Sequence, residues 1–168
     1  MIDRGYCVTM ARYNAWQNTQ MTDTLKALDE KALHQDRGAF FGSIMATLNH
    51  LVWGDHLWIS RFDGGDRPAV GPKEGLVQHP TFASWSAARF KTDGRILQWA
   101  QMLNNIDLKG DLTWFSGAVG KELTKPKEIC VMQLFNHQTH HRGQIHAMMT
   151  AAGLKTSDTD LPFMPEPE

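Results

Sequence analysis

The sequence predicts an all-α protein, a four-helix bundle with a long crossover connection and a short extended or hairpin excursion before the last helix. Three observations lead to this prediction. Four long segments are rich in helix-forming residues and repeat their apolar side chains at helical spacing. Seven glycines and prolines interrupt the chain between residues 63 and 80. The helical pattern also fails between residues 107 and 125, just before the last segment, and long helices with one long connection suit a bundle.

The composition is that of a single soluble domain. Of the 168 residues, 42% are hydrophobic and 21% are charged, as in ordinary globular proteins. A chain of this length buries about two-thirds of its unfolded surface, so we treat residues 1–168 as one domain. The net charge of −1 disfavours nucleic-acid binding, which usually needs a basic face. No stretch approaches the ~18 apolar residues of a membrane span, so we expect no membrane partner.

The two cysteines indicate a reducing compartment. Cys7 and Cys130 are far apart and do not form a CxxC motif, so a disulfide framework is not expected. The first residues, MIDRGYCVTMARYNAW, lack the apolar run of a signal peptide. We therefore expect a cytoplasmic protein.

The first two helices are predicted from composition and capping residues. Apolar spacing in a segment without Pro or Gly predicts the first helix from about Val8 to His34. After a connection over residues 35–42, Ser43 is a favourable N-cap for the second helix, SIMATLNHLVWGDHLWISRF. This helix is apolar on almost every side, which indicates a central position or a share in a subunit interface.

A long loop separates the second helix from the third. Residues 63–80 form this loop, and loops of such length are often functional. Thr81 can cap the third helix, which is predicted to run to about Leu103.

The last part of the chain combines an excursion and a helix. The stretch DLTWFSGAVGKELT, within residues 107–125, predicts a hairpin or extended segment. Pro126 is expected in the first turn of the fourth helix. That helix is predicted to end at about Ala152, with Gly153 as its stop and an irregular tail beyond.

Half of the eight histidines lie in the fourth predicted helix, within NHQTHHRGQIH: His137, His140, His141 and His146. His137 and His141 are one turn apart on an apolar stripe, whereas His140 projects elsewhere. Two such imidazoles can bind one ion, although the Glu of the metalloprotease motif is absent. The alternative is a pair of buried histidines satisfied by hydrogen bonds, and the HxxxH spacing alone leaves both open.

A third ligand would have to come from another helix, because an open zinc-type site usually has three protein ligands. The candidates are His34, His50, Asp55, His56 and His79. His50 is in the middle of the apolar second helix and is expected at bundle depth. His56 is nearer the helix end, where a surface position is as plausible.

Two motifs in these helices resemble those of the DinB/YfiT-like metalloenzyme family. They are NHLVWGD around His50 and HQTHHRGQ from His137, and the resemblance extends over most of the chain. It implies that His50, His137 and His141 bind a divalent metal ion, zinc or nickel, inside a four-helix bundle. It also implies a homodimer. Several related proteins are thiol-dependent transferases or isomerases that use low-molecular-weight thiols such as bacillithiol or mycothiol.

The resemblance favours a metal-dependent enzyme of the thiol-dependent transferase or isomerase type that acts on a small molecule. Two alternatives remain at this level, a metal-dependent hydrolase and a non-catalytic metal-binding stress-response protein. A closed, four-coordinate site would favour the structural role and an open position would favour catalysis. No catalytic acid or base is identified from the sequence.

Some neighbouring residues carry weaker expectations. Asp55 is expected on the surface, paired with Arg61. Arg142 and Gln144 are expected to project away from the apolar stripe. Gln144 could reach a ligand histidine or a partner chain, although solvation at the surface is the favoured alternative. Gly143, which costs a helix ~1 kcal/mol relative to Ala, is expected where another helix, or alternatively a ligand, approaches closely.

Overall fold

The computed structural model describes residues 1–166, and these are mainly helical. The elements follow in the order α1 (Arg4–Leu25), α2 (Glu30–His34), α3 (Ile44–Asp63), α4 (Phe82–Met102), β1 (Asp111–Ser116), β2 (Lys121–Pro126) and α5 (Lys127–Ala151). Short 3-10 turns cover Glu74–Val77, Asn105–Leu108 and Leu161–Phe163. Within residues 1–166, none of the helices combines the length and apolar character needed to cross a membrane.

The prediction of one helix from Val8 to His34 is wrong. The helix α1 begins earlier, because the side chain of Asp3 accepts a hydrogen bond from the backbone N–H of Tyr6 and caps the helix. It ends at Leu25, and Asp29 caps the separate helix α2 in the same way. A cap residue inside a segment of good helix formers therefore starts a second helix.

The boundaries of α3, α4 and α5 agree more closely with the capping residues in the sequence. Ser43 and Thr81 cap α3 and α4, each accepting a hydrogen bond from the backbone N–H three residues on. Gly153 follows the C-cap of α5 with a φ of 82°, a conformation that glycine adopts readily. Pro126 was expected inside the first turn of the last helix, but it ends β2 and is the N-cap of α5.

The four long helices pack so that α1 and α3 each contact both α4 and α5. The predicted excursion is an antiparallel hairpin in which Trp114 of β1 pairs with Leu123 of β2. Trp114 packs edge-on against Trp58 of α3, with ring centroids 5.6 Å apart. The guanidinium of Arg61 lies over both tryptophan rings, so aromatic and cation–π contacts hold the hairpin against α3.

A layer of buried polar side chains separates two apolar clusters of the core. One cluster includes Leu48, Trp85 and Ile145, and the other includes Ile59, Trp99 and Phe135. We call the side chains between them the polar layer: Asn14, Asn18, Asp55, Arg89, Asp93, Gln138 and Arg142, which come from α1, α3, α4 and α5.

Arg89 is the centre of this layer. Its guanidinium lies 2.6 Å from a carboxylate oxygen of Asp55 and 2.7 Å from one of Asp93. Asp55 is therefore fully buried and paired with Arg89, not on the surface with Arg61 as expected. Burial raises the pKa of Asp55 to about 6 in spite of the neighbouring guanidinium, because desolvation disfavours the charged carboxylate. Arg142 is also buried, contrary to expectation, and donates to the side-chain oxygen of Asn14.

The long loop between α3 and α4 is fixed to α3. The side chain of Asn49 hydrogen bonds to both the N–H and the C=O of His79, at 3.0 Å each. The indole N–H of Trp53 donates to the carbonyl of Val70 at 3.0 Å. Gly75 packs on the same indole, since a Cβ added there would lie 2.7 Å from the Trp53 ring. The loop is thus anchored on both sides of His50 along α3.

Candidate metal centre

Three imidazole rings meet where α3 faces α5. His50 comes from α3, and His137 and His141 come from successive turns of α5. One ring nitrogen from each residue lies within 4.8 Å of the other two. The Nε2 atoms of His50 and His137 are 3.1 Å apart. The three residues that the sequence singled out therefore form one cluster, here called the three-histidine cluster.

Gly54, one turn after His50 on α3, makes room for the ring of His137. A Cβ added to Gly54 would lie 2.7 Å from Cε1 of that ring, closer than non-bonded carbons approach. The sequence placed such a close approach at Gly143 instead, and this is wrong because an added Cβ there meets no atom within 4 Å. Gly54 has the same sequence feature as Gly143: it is a glycine, which weakens a helix, inside an apolar helical segment.

Gln144 orients the third ring. Its side-chain oxygen lies 2.8 Å from Nδ1 of His141. An amide oxygen only accepts hydrogen bonds, so Nδ1 of His141 must be the protonated nitrogen and Nε2 has the free lone pair. The amide nitrogen of Gln144 also lies 3.3 Å from Nε2 of the exposed His140. Of the roles expected for Gln144, contact with a candidate ligand histidine is therefore observed, and the favoured alternative of solvation at the surface is wrong.

Burial and the neighbouring rings favour the neutral form of the three imidazoles. Burial lowers the pKa of His50 to about 4, with a smaller contribution from His141. Burial and the neighbouring rings lower the pKa of His137 to about 3, and burial also lowers the pKa of His141. A lowered histidine pKa favours the uncharged ring, so all three are neutral at pH 7. Neutral imidazole is the form that binds a metal ion.

The ligand set fits a divalent cation. Metal–imidazole bonds of 2.0–2.1 Å in a tetrahedral site separate two ligand nitrogens by about 3.3 Å, close to the 3.1 Å between His50 and His137. Nδ1 of His137 is buried and has no hydrogen-bond partner among the described residues, so the contact of its Nε2 with Nε2 of His50 is the hydrogen-bonding contact recorded for this ring. Within residues 1–166, no carboxylate or thiol joins the three rings.

An aromatic side chain covers one side of the cluster. The ring centroid of Phe41 is 4.2 Å from that of His50 and 5.6 Å from that of His141. A tight turn holds Phe41 there, because the N–H of Arg37 donates to the carbonyl of Gly42 at 2.8 Å. Phe40 packs edge-on against Phe41 and is 83% exposed. A connection over residues 35–42 was expected from the sequence, but the contact of Phe41 with the histidine rings was not.

The other candidate ligands lie outside the cluster. His34 contacts the carbonyl of Pro80 at 3.1 Å, and the backbone of His79 is bonded to Asn49. Asp55 belongs to the polar layer, and His56 is not within reach of the three rings.

Comparisons with known proteins identify a matching family and a similar solved structure. The chain matches the model of the DinB family over residues 1–168. It is 26% identical over 159 residues to Protein DinB of Bacillus subtilis (strain 168), covering 92% of this chain and 91% of that protein. A crystal structure of a DinB-like protein from Bacillus cereus ATCC 10987 has a similar fold, with a TM-score of 0.61 at 19% identity. The match covers 85% of this chain and 90% of that one.

Proposed function

The chain belongs to the DinB family, and from this premise we propose that it binds a divalent metal ion through His50, His137 and His141. The observation that supports the proposal is the convergence of three ring nitrogens within 4.8 Å of one another. Zinc and nickel are the ions we propose, since both suit imidazole ligands. We also propose that α1, α3, α4 and α5 form a four-helix bundle, with the metal joining α3 to α5.

We further propose that the protein is a metal-dependent enzyme that transfers or isomerises a small molecule with the help of a low-molecular-weight thiol. Three protein ligands with no fourth among the described residues are typical of catalytic sites, whereas structural zinc sites have four. A divalent ion in this site would act as a Lewis acid and lower the pKa of a thiol that reaches it.

The protein's own residues prepare the site for such a reaction. Gln144 fixes the tautomer of His141, and Gly54 allows the ring of His137 to lie against α3. Phe41 excludes water from one side of His50, which strengthens electrostatic interactions there.

The thiol would come from outside the chain. Cys7 and Cys130 are both buried, and neither belongs to the three-histidine cluster. Burial, with a smaller contribution from Asp3, raises the pKa of Cys7 to about 12, and burial also raises the pKa of Cys130. Neither side chain can supply a thiolate near neutral pH, because the thiolate fraction falls tenfold for each unit by which the pKa exceeds the pH.

The remaining proposals concern partners and location. We propose a homodimer in the cytoplasm with a small-molecule substrate and neither nucleic acid nor membrane as a partner. The net charge of −1 supports the absence of a nucleic-acid partner.

A direct assay of thioether formation tests the enzymatic proposal. Purified protein loaded with zinc or nickel is mixed with bacillithiol, mycothiol or glutathione and the electrophile 1-chloro-2,4-dinitrobenzene. The thiol sulfur forms a bond to the ring carbon, chloride leaves, and the thiol proton goes to the buffer. We expect metal-dependent thioether formation that His50→Ala abolishes.

Three other outcomes would redirect the proposal. Equal rates for His50→Ala and the unaltered protein would refute a role for the metal. Thiol-independent, metal-dependent hydrolysis of p-nitrophenyl acetate would favour a hydrolase. Tightly held metal without either activity would favour the non-catalytic metal-binding role.

A further inference from the structure

A cavity lies between α1 and α5, apart from the three-histidine cluster. Its volume is about 520 Å³, within the range of small-molecule sites. Tyr13 and Met21 line it from α1, and Arg142 and Met149 line it from α5. The cavity shares no residue with the three-histidine cluster.

The segment after α5 closes one side of this cavity. The side-chain amide of Gln17 donates to the carbonyl of Asp158 at 3.1 Å. The hydroxyl of Tyr13 donates to the carbonyl of Thr159, and the hydroxyl of Thr156 lies 3.2 Å from Nε2 of His146. These hydrogen bonds to residues 156–159 therefore hold the segment after α5 in place as a wall of the cavity.

Arg142 gives the cavity its charge. Among the described residues that line the cavity, Arg142 is the only Asp, Glu, Lys or Arg. It is only 8% exposed, and it forms no ion pair within 4.0 Å in the part of the chain described. Asn14 accepts one hydrogen bond from its guanidinium, and the ring of Tyr13 lies 5.5 Å away. A guanidinium has five N–H donors, so several remain for a ligand.

The rest of the lining divides into polar and apolar parts. Hydroxyl and amide groups come from Gln17, Gln20, Thr139 and Thr150. Apolar surface comes from Met21, Ala147 and Met149. A ligand that satisfies both parts has an anionic head and an apolar body.

We propose that this cavity is a binding site for a small amphiphilic carboxylate, whose head pairs with Arg142 and whose apolar body packs on Met21 and Met149. Arginine and carboxylate form paired, charge-assisted hydrogen bonds, so the guanidinium, which is the one such charged group among the described lining residues, favours a carboxylate head. This site is separate from the proposed metal centre and does not depend on the metal.

Calorimetric titration of the full-length, metal-loaded protein tests the proposal. Hexanoate, octanoate and decanoate are the probes, and octanamide is the uncharged control. We expect saturable binding of at least one acid, one molecule per chain. Octanamide should bind roughly tenfold or more weakly, as expected for loss of a charged hydrogen-bonding partner. The absence of saturable binding by all three acids, or equal binding of octanoate and octanamide, overturns the proposal.

Substitutions locate the site without relying on Arg142→Gln alone, which could disturb the polar layer. Gly143 lines the cavity, and a Cβ added there meets no atom within 4 Å. Gly143→Met should therefore fill the cavity and weaken octanoate binding at least tenfold. Gly94→Met is the matched control, because Gly94 is an exposed helical glycine of α4 that is equally open and does not line the cavity.

Two further results decide between locations. Octanoate binding that survives Gly143→Met unchanged overturns the assignment to this cavity. A carboxylate can also bind a metal ion, so His50→Ala serves as a second control. Retention of octanoate affinity in His50→Ala supports the cavity, and its loss there shows that the acid binds at the metal centre and refutes the proposal.

Discussion

The imidazole of His137 on α5 lies directly against the backbone of Gly54 on α3, so closely that a Cβ on Gly54 would be 2.7 Å from Cε1 of the ring. Real side chains do not approach so closely, so one of the two groups would have to move. This contact joins the two helices at the level of the three-histidine cluster. The absence of a side chain at Gly54 therefore sets where the ring of His137 can lie.

Gly54→Ala should weaken metal binding by displacing this ring. We expect a loss of tenfold or more, in the range seen when groups that orient a ligand are changed. Competition with a chromophoric chelator measures the affinity, and circular dichroism checks that helix content is unchanged. Gly143→Ala is the control, since its Cβ meets no atom within 4 Å, and it should stabilise α5 by ~1 kcal/mol without changing the affinity. Equal affinities for the two variants would contradict the prediction.

Each residue of the cluster should be needed for full metal occupancy. We expect about one zinc or nickel ion per chain by elemental analysis, and a large loss in His50→Ala, His137→Ala and His141→Ala, because a three-ligand site cannot spare one imidazole. His56→Ala should retain the metal, since His56 is outside the cluster. Full occupancy in the triple alanine variant would refute the assignment.

Gln144→Leu should reduce metal affinity while preserving the fold. The substitution removes the acceptor that holds the proton on Nδ1 of His141, so the lone pair on Nε2 is no longer fixed in place. Groups that orient a ligand histidine in this way contribute roughly 10–100-fold to affinity. Gln133→Leu, at an exposed position of the same helix, is the matched control. The same chelator competition would show no difference between the two if Gln144 has no such role.

Arg89→Met should destabilise the protein strongly at pH 7. It leaves the buried carboxylates of Asp55 and Asp93 without their shared cation, and breaking a buried pair costs about 3–5 kcal/mol. Urea unfolding measures the loss. Arg95→Met removes a partner of Asp63 nearer the surface, where the expected cost is about 1 kcal/mol or less.

Acidification should partly relieve this loss. Burial raises the pKa of Asp55 to about 6 and also raises that of Asp93. The folded state therefore takes up protons between about pH 6 and pH 4 that the unfolded state does not bind until lower pH, so lowering the pH through this window favours folding. Arg89 lowers the pKa of both carboxyls, so its removal raises both values further and the variant gains more from acidification than the unaltered protein. The difference in the free energy of unfolding between Arg89→Met and the unaltered protein should therefore shrink from pH 7 to pH 5. A difference that grows on acidification would contradict the assigned pKa directions.

The two cysteines should be unreactive until the protein unfolds. Both are buried and burial raises both pKa values, to about 12 for Cys7, so the thiolate fraction is very small at pH 8. Titration with Ellman's reagent should detect no fast-reacting thiol in native protein and two per chain in denaturant. A rapidly reacting thiol in the native state would show that the chain has a nucleophile of its own and would weaken the case for an external thiol.

The parts of the fold that could be predicted depend on signals close together in the chain. Ser43 and Thr81 act on the backbone three residues ahead, and both cap helices as predicted. The shared face of His137 and His141 follows from the helical period, and the structure brings both rings together with His50.

Two of the errors concern contacts between distant segments, and another concerns a local boundary. The burial of Asp55 depends on Arg89, 34 residues away, and no local pattern shows that pairing. Gly54 and Gly143 look alike in sequence, and only the position of the His137 ring distinguishes them. The break before α2 was missed because helix propensity over residues 8–34 outweighed one capping aspartate, Asp29.

The turn that follows α2 has a consequence for how this protein could acquire different ligand preferences. The chain turns back through residues 37–42 and lays Phe41 on the imidazole of His50, although this segment contributes none of the three histidines. In the proposed metal site, the residues that would hold the ion and the residue that covers the rings therefore come from different stretches of the chain. Exchanging the short turn would alter which molecules reach the rings, while the rings themselves, on α3 and α5, would keep their arrangement.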